Sequence, residues 1–282
     1  MRSLKNTENG NKQNALYEKS VPAKTVCGRD LLQYRLGVGE QTVLFLAGFS
    51  ADAAQNTAIL FAFMKRLRDS VRYKRALRGV RLLPLLRERQ LLFLPCLNPD
   101  GMEIAKNGAV AAGTYQQLVT RAKHAVPLPW LANARGVELQ RNFPAEGERH
   151  ALLQKLGAPQ GYGGQTPCSE VETQTVCRLC EQTQIRHVVL LEGIGGYVEK
   201  LPPTEAPWQE QMPMALKILA DSARYPLLES LPTAGSFAPW FIKTYRRPIL
   251  SLAPMQTDLQ NEKNFSAVYQ RIEEALLLAS IL

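Results

Sequence analysis

Histidine is scarce in this chain. Three occur in 282 residues, His124, His150 and His187, and no two stand at the spacing of metal ligands. They read as surface or strand-start histidines. Long apolar runs are also missing. No window of about 18 apolar residues occurs, so no membrane-spanning helix is expected. Residues 1–24 are polar and hold no stretch that would serve as a signal peptide. The five cysteines, Cys27, Cys96, Cys168, Cys177 and Cys180, are odd in number and scattered, which favours a reducing compartment, and the expected location is the cytoplasm. Ser236 lies in Gly235-Ser236-Phe237-Ala238, which is not the G-x-S-x-G turn of a serine hydrolase. The glycines at 161, 163 and 164 form no phosphate loop, because no Lys-Ser/Thr follows; a tight turn is expected there. There is no internal repeat, no low-complexity tract and no nucleic-acid-binding module.

Hydrophobic residues make up 45% of the sequence, enough for a large core and too many for a disordered chain. The charge is 34 basic minus 25 acidic residues, or +9. A basic surface attracts anions such as carboxylate-rich peptides, and equally describes an ordinary solvated surface rich in arginine. Many of the cations fall between Lys65 and Arg89 with Leu and Val among them, the pattern of a helix with one wet face and a connector. The length suits one α/β domain.

Residues 1–24 are expected to be a flexible segment that frays or drapes over the surface, ahead of a single domain from 25 to 282. Strands are predicted at Leu31–Leu36, Val43–Ala47, Leu91–Pro95, His187–Leu191 and Ile249–Leu252. Helices are predicted from Ala53 to about Arg75, from Ser169 to about Gln184, over Gln211–Arg224 and over Phe265–Leu282. Ser169 with Glu172 reads as a capping box for the second of these. Gly101 to Pro167 exceeds an ordinary loop, so it is functional or holds short helices. Alternating strands and helices give an α/β fold: a mixed, mostly parallel twisted sheet with helices on both faces.

Four segments occur in order. An apolar strand enters Gly48-Phe49-Ser50-Ala51-Asp52-Ala53. Asn98-Pro99-Asp100-Gly101 follows, then Gly136-Val137-Glu138-Leu139-Gln140-Arg141-Asn142-Phe143-Pro144, then Ser169-Glu170-Val171-Glu172. Together they resemble the M14 zinc metallocarboxypeptidases, over a range from about Cys27-Gly28-Arg29 to Ala253. Phe143-Pro144-Ala145-Glu146 and Gly161-Tyr162-Gly163-Gly164 are nearest to the bacterial branch that cleaves γ-D-glutamyl-diamino acid peptides. The resemblance implies the zinc carboxypeptidase-like, phosphorylase/hydrolase-like architecture and a zinc cofactor. It places the active centre at the carboxyl ends of the strands, where open α/β sheets bind their ligands.

The residues at those ends are not the family's. Where the resemblance implies His-x-x-Glu, two zinc ligands, this chain has Ser50-Ala51-Asp52-Ala53. Glu192 stands at the third ligand's position, normally His, and Ala253 at that of the catalytic Glu. A catalytic zinc needs about three protein ligands plus water. Ser50 is a poor ligand, Ala53 is none, and Glu192 alone cannot hold the metal. Zinc lowers the pKa of its water from about 15.7 to about 7, a shift worth on the order of 12 kcal/mol in nucleophile activation. A missing general base costs roughly a further 10²–10⁴ in rate. No metal and no catalytic residue are therefore expected, and the enzyme class stays open.

Other sites are weaker. Cys177-Arg178-Leu179-Cys180 has C-x-x-C spacing but no second pair, and reads as core thiols on one helix face. Asp52, Asp100 and Glu192 are a candidate oxygen cluster for a hard cation, although a structural Asp in a turn explains Asp100 equally well. Arg141, Gln140 and Asn142 are the expected substrate-binding residues. The resemblance implies that the Arg of Gln140-Arg141-Asn142-Phe143 grips a terminal carboxylate through two parallel hydrogen bonds. Alternatively, Arg141 pairs with an acid such as Glu192 or Glu138. Leu131, after Trp130, stands where relatives often carry a basic residue. The Trp240-Phe241 region reads as packing support. The expected function is a non-catalytic, bacterial, M14-like protein that binds the carboxylate of a peptide or peptidoglycan fragment, with neither nucleic acid nor membrane as partner. The alternatives are an active carboxypeptidase or γ-glutamyl peptidase with an altered metal site, and a scaffold protein.

Overall fold

Strand β3 (Gln41–Ala47) is apolar at nearly every position because both of its faces are covered. Val43, Phe45 and Ala47 point to one side of the sheet, and Leu44 and Leu46 to the other. The same alternation runs through its neighbours β4 (Arg89–Leu94) and β5 (Ile185–Leu191). The computed structural model describes residues 16–144, 157–201, 208–229 and 236–282. Among these, the remaining strands are β1 (Tyr17–Lys24), β2 (Asp30–Leu36), β6 (Tyr197–Lys200), β7 (Leu227–Glu229) and β8 (Ile249–Ala253). They form one eight-stranded sheet in the order β1-β2-β4-β3-β5-β8-β6-β7. The centre, β4-β3-β5-β8, is parallel throughout. The antiparallel pairs are β1–β2, β2–β4 and β6–β8.

Helices cover both faces. On one lie α1 (Ala54–Arg72), α2 (Leu82–Glu88), α6 (Trp208–Ala223) and α8 (Glu262–Ile281), packed on Val43, Phe45, Phe93 and Val189. On the other lie α5 (Val171–Gln182) and α7 (Phe237–Tyr245), packed on Leu44, Leu46, Leu92 and Val188. The helix α1 presents Ile59, Leu60, Phe63, Met64 and Leu67 inward at helical spacing. The α/β architecture expected from the sequence is the one observed.

Several expectations change. The segment 1–24 was expected to be flexible; its last eight residues, Tyr17–Lys24, form β1, paired with β2 along one edge of the sheet, while residues 1–15 lie outside the described residues. The long stretch after Gly101 holds α3 (Pro99–Asn107), a 3₁₀ segment (Ala109–Tyr115), α4 (Gln116–Ala125) and a 3₁₀ turn (Leu139–Arg141). Ser169 does not cap α5. The N-cap is Glu170, and the Ser169 hydroxyl is used between Asn142 and Glu170.

Candidate active-site rim

The chain leaves β3 through Gly48, whose positive φ of 75° and close neighbours, Thr57 Oγ1 2.6 Å and Cys96 Cα 3.1 Å from where a Cβ would lie, allow only glycine. Asn98 N then donates to Gly48 O (2.7 Å), locking this exit to the turn after β4. Asn98 caps α3 by accepting from Gly101 N (2.8 Å) and donates to Phe49 O (3.1 Å). Ser50, Ala51, Asp52 and Ala53 follow at the carboxyl end of the sheet. Ala47 is the register partner of Leu191, and Leu191 of Leu252, so Glu192 and Ala253 emerge beside them. Asn56 Nδ2 donates to Gly193 O (2.9 Å) and Gln55 Nε2 to Met255 O (2.7 Å), tying the start of α1 to the ends of β5 and β8. Ser50, Ala53, Glu192 and Ala253 thus share one rim.

The donor chemistry of this rim does not suit zinc. Ser50 Oγ donates to Asp52 Oδ1 (2.5 Å), and Ala53 and Ala253 offer only methyl groups. Burial pushes the Glu192 carboxyl up to about 8, opposed by a hydrogen bond with Gln140 and reinforced by the charges of Asp52, Glu199 and Glu138. Its Oε2 is buried without a hydrogen-bond partner, as suits a carboxyl held largely neutral. Among the described residues no three His, Cys, Asp or Glu side chains converge as a metal site. His124 is exposed on α4, His150 lies outside the described residues, and His187 is buried with Nε2 2.8 Å from Ala279 O. Asp100 does not join Asp52 and Glu192. It is fully buried and accepts from Thr25 Oγ1 (2.8 Å), Cys27 N (3.1 Å) and Arg29 Nη1 (2.8 Å), which makes it the latch that holds residues 25–29 against α3.

The turn Gln140-Arg141-Asn142 approaches the same rim, because Gln140 reaches Glu192. The Arg141 side chain is about one-third exposed, with Nε 3.2 Å from Glu138 Oε2, so of the two acids weighed for it, Glu138 is the near one. That Nε is buried and makes no hydrogen bond. Asn142, expected among the substrate-binding residues, is instead fully buried. Its Nδ2 faces Gly163 O (2.8 Å), Thr166 O (3.1 Å) and Ser169 Oγ (2.9 Å). Its Oδ1 accepts from Thr173 Oγ1 (2.6 Å) and Glu170 N (3.2 Å). It has no capacity left for a ligand and fixes the turn to the start of α5. Gly163 and Gly164 make this approach possible. A Cβ on Gly163 would lie 2.5 Å from Arg141 O, and one on Gly164, at φ 86°, 2.6 Å from Asn142 Nδ2. Beneath the turn, Phe143 packs against Phe49, Phe237 and Trp240, with ring centroids 5.8, 5.2 and 5.1 Å apart, which supports the packing role expected of that region. Gly235 and residues 145 and 146 lie outside the described residues. Leu131 presents an aliphatic side chain, and only its backbone is engaged, its carbonyl accepting from Ala51 N (3.0 Å).

Two features escaped the sequence. Tyr197 is the cross-strand partner of Ala253, and its hydroxyl lies 3.3 Å from where a Cβ on Gly193 would be. Glu172 is buried with both carboxyl oxygens unpartnered, and burial, with help from the charges of Glu170 and Asp100, pushes it up to about 8. Tyr197 carries no spacing signal, since its place depends on the pairing of β6 with β8, and the spacing of Glu172 from Ser169 points to a cap and not to a buried carboxyl.

Comparison with known proteins agrees with the fold and the motifs. The chain is 25% identical over 234 residues to γ-D-glutamyl-L-diamino acid endopeptidase 1 of Lysinibacillus sphaericus, covering 79% of this chain and 57% of that protein. It is 27% identical over 197 residues to murein peptide amidase A of Escherichia coli K12, covering 66% of this chain and 67% of the relative. The chain thus spans a little over half the length of the first relative. Among solved structures, carboxypeptidase A from Helicoverpa armigera superposes with a TM-score of 0.67 at 12% identity, over 98% of this chain and 70% of that one. The murein-tripeptide amidase of Escherichia coli O157 superposes with a TM-score of 0.53 at 22% identity, over 93% and 91%. The family model described as zinc carboxypeptidase matches residues 8–224, more than half of the sequence, and this chain therefore belongs to the M14 zinc carboxypeptidase family.

Proposed function

We propose that this chain is a non-catalytic member of its family that binds the terminal carboxylate of a peptide, or of a cell-wall peptide, at Arg141 without cleaving it. The observation that carries this reading is the rim itself. Three adjacent parallel strands deliver Ser50, Ala53, Glu192 and Ala253 to one place, and none of the four supplies a metal ligand set or a general base. A guanidinium nearby remains partly open to solvent. Gln140, whose amide also hydrogen-bonds Glu192, is the second donor. With Glu192 uncharged, the acid nearest Arg141 is Glu138, and a ligand carboxylate competes with it for the cation. The names of the relatives favour γ-glutamyl-diamino acid or murein peptides as ligand class. The chain acts in this reading as one domain that includes β1.

Calorimetric titration with a γ-D-glutamyl-diamino acid peptide, followed by mass analysis of the recovered peptide, tests this. Saturable binding with the peptide intact is expected. Arg141→Ala should weaken binding by at least about tenfold, the loss of a charge-assisted pair worth roughly 1.5–3 kcal/mol. Equal affinity in the variant, or a cleaved peptide with one equivalent of tightly held zinc or manganese, overturns it; the second result favours an active peptidase with an altered metal site.

A further inference from the structure

Cys177 and Cys180 have the C-x-x-C spacing, but the structure brings a different pair together. Cys168 Sγ lies 2.7 Å from Cys177 Sγ. Cys180 is one helical turn beyond Cys177 in α5, where Cβ atoms three residues apart stay about 5–6 Å from one another. A disulfide needs about 3.5–4.5 Å between its Cβ atoms. The helix thus holds Cys177 and Cys180 apart, while Cys168, two residues before the N-cap, turns back onto the helix. It does so at a φ of 50°, a left-handed conformation unusual for cysteine. Two hydrogen bonds keep it there: Cys168 N donates to Asn142 O (2.6 Å), and Gln174 Nε2 donates to Cys168 O (2.9 Å).

We propose that Cys168 and Cys177 form a covalent modification site, a dithiol oxidised to an intramolecular disulfide by a small-molecule disulfide such as glutathione disulfide. Cys168 is half-buried and follows the exposed residues 165–167, so it is the thiol an incoming reagent meets; Cys177 is buried behind it. The Cys168 thiolate attacks one sulfur of the reagent, the S–S bond of the reagent breaks, and its other half leaves as a thiolate that takes up a proton. The Cys177 thiolate then attacks the Cys168 sulfur of the mixed disulfide and expels the second half, which is likewise protonated. Two protein thiols are oxidised and one external disulfide is reduced to two thiols. In the dithiol, the contact with Cys168 and then burial raise the Cys177 thiol above its ordinary range; once Cys168 is in the mixed disulfide only burial still does so, and the second step speeds up with pH.

The test incubates the whole chain with mixtures of reduced and oxidised glutathione, blocks the remaining thiols and maps the peptides by mass. In the parent, two of the five cysteines should become unreactive with no glutathione retained, and one cross-linked species should join Cys168 to Cys177. Cys180→Ser should leave this unchanged. Cys177→Ser should stop at a glutathione adduct on Cys168, and Cys168→Ser should give no internal cross-link. The oxidised parent should melt at a higher temperature than the reduced one, a readout that does not depend on whether either variant folds. Five reactive thiols in the oxidised parent, a stable adduct in place of the cross-link, or a cross-link joining any other pair overturns the proposal.

Discussion

Glu192 and Glu172 are carboxyls whose surroundings favour the neutral form, and both consequences are measurable. Glu192 faces Gln140, with Asp52, Glu199 and Glu138 around it. Below about pH 8 it leaves the rim with one negative charge fewer; above that it would repel the anionic ligand proposed for Arg141. For charges about 10 Å apart at an effective dielectric near 20, the repulsion is about 1.7 kcal/mol, roughly tenfold in affinity. Peptide affinity should therefore fall between about pH 7 and pH 9, and Glu192→Gln should flatten that fall; an equally steep profile in the variant would contradict it. Glu172 reports on stability. Its pKa rises from 4.5 to about 8 on folding, so the native state holds an extra proton between those values and stability falls as pH rises through that window. His187 has the opposite sign, its pKa dropping from 6.5 to about 4, so its contribution is spent once the pH exceeds about 6.5. From about pH 6.5 to pH 8 the carboxyls act without that opposition. Over that span Glu172→Gln should lose about 2 kcal/mol less stability than the parent in urea unfolding.

At the scale of elements, the central strands and the long helices were legible because burial on both faces or on one stripe writes itself into the spacing of apolar residues: Val43–Ala47 and Ile59–Leu67 are cases. β1, β6 and β7 were not legible. Tyr17–Lys24 reads as polar because an edge strand keeps much of its surface wet, and Leu227–Glu229 is three exposed residues held by pairing to β6. The capping box failed for another reason. Ser169 found stronger partners in Asn142 and Glu170, a tertiary arrangement that no local pattern encodes. The same logic turned Asn142 from a ligand-binding candidate into the clasp between the Arg141 turn and α5. Two substitutions test these joints. Asp100→Ala removes the buried acceptor of Thr25, Cys27 and Arg29 and should cost about 3–5 kcal/mol of stability, measured by chemical denaturation. Gly164→Ala puts a methyl 2.6 Å from Asn142 Nδ2 at a φ of 86° and should cost roughly 1–3 kcal/mol, with weakened binding at Arg141 as a second effect.

At the scale of the whole molecule, the fold is the one shared with zinc carboxypeptidases, and its buried anchors lie apart from the rim at the strand ends. Asn98, Asn133 and Asn142 are fully buried and hydrogen-bonded, whereas the rim positions Ser50, Ala53, Glu192 and Ala253 carry no ligand set. The residues that hold the fold are thereby different from those at the rim. Putting the family's ligands back, Ser50→His with Ala53→Glu and Glu192→His, should leave the fold intact and give one tightly held zinc per chain by elemental analysis, against none in the parent. A rebuilt chain that folds but takes up no zinc would show that the backbone of the rim, and not only its side chains, has drifted.

Peptide cleavage would need a further acid at 253, and there the aromatic ring across the ladder matters. Tyr197 lies opposite Ala253, its hydroxyl over Gly193, in a strand pair with no spare room: Ala253 is wholly buried. A glutamate introduced there has to fit into a wholly buried position, with the Tyr197 phenol and Gly193 close by. Ala253→Glu alone should therefore lower stability, and a smaller side chain at 197 should recover part of that loss.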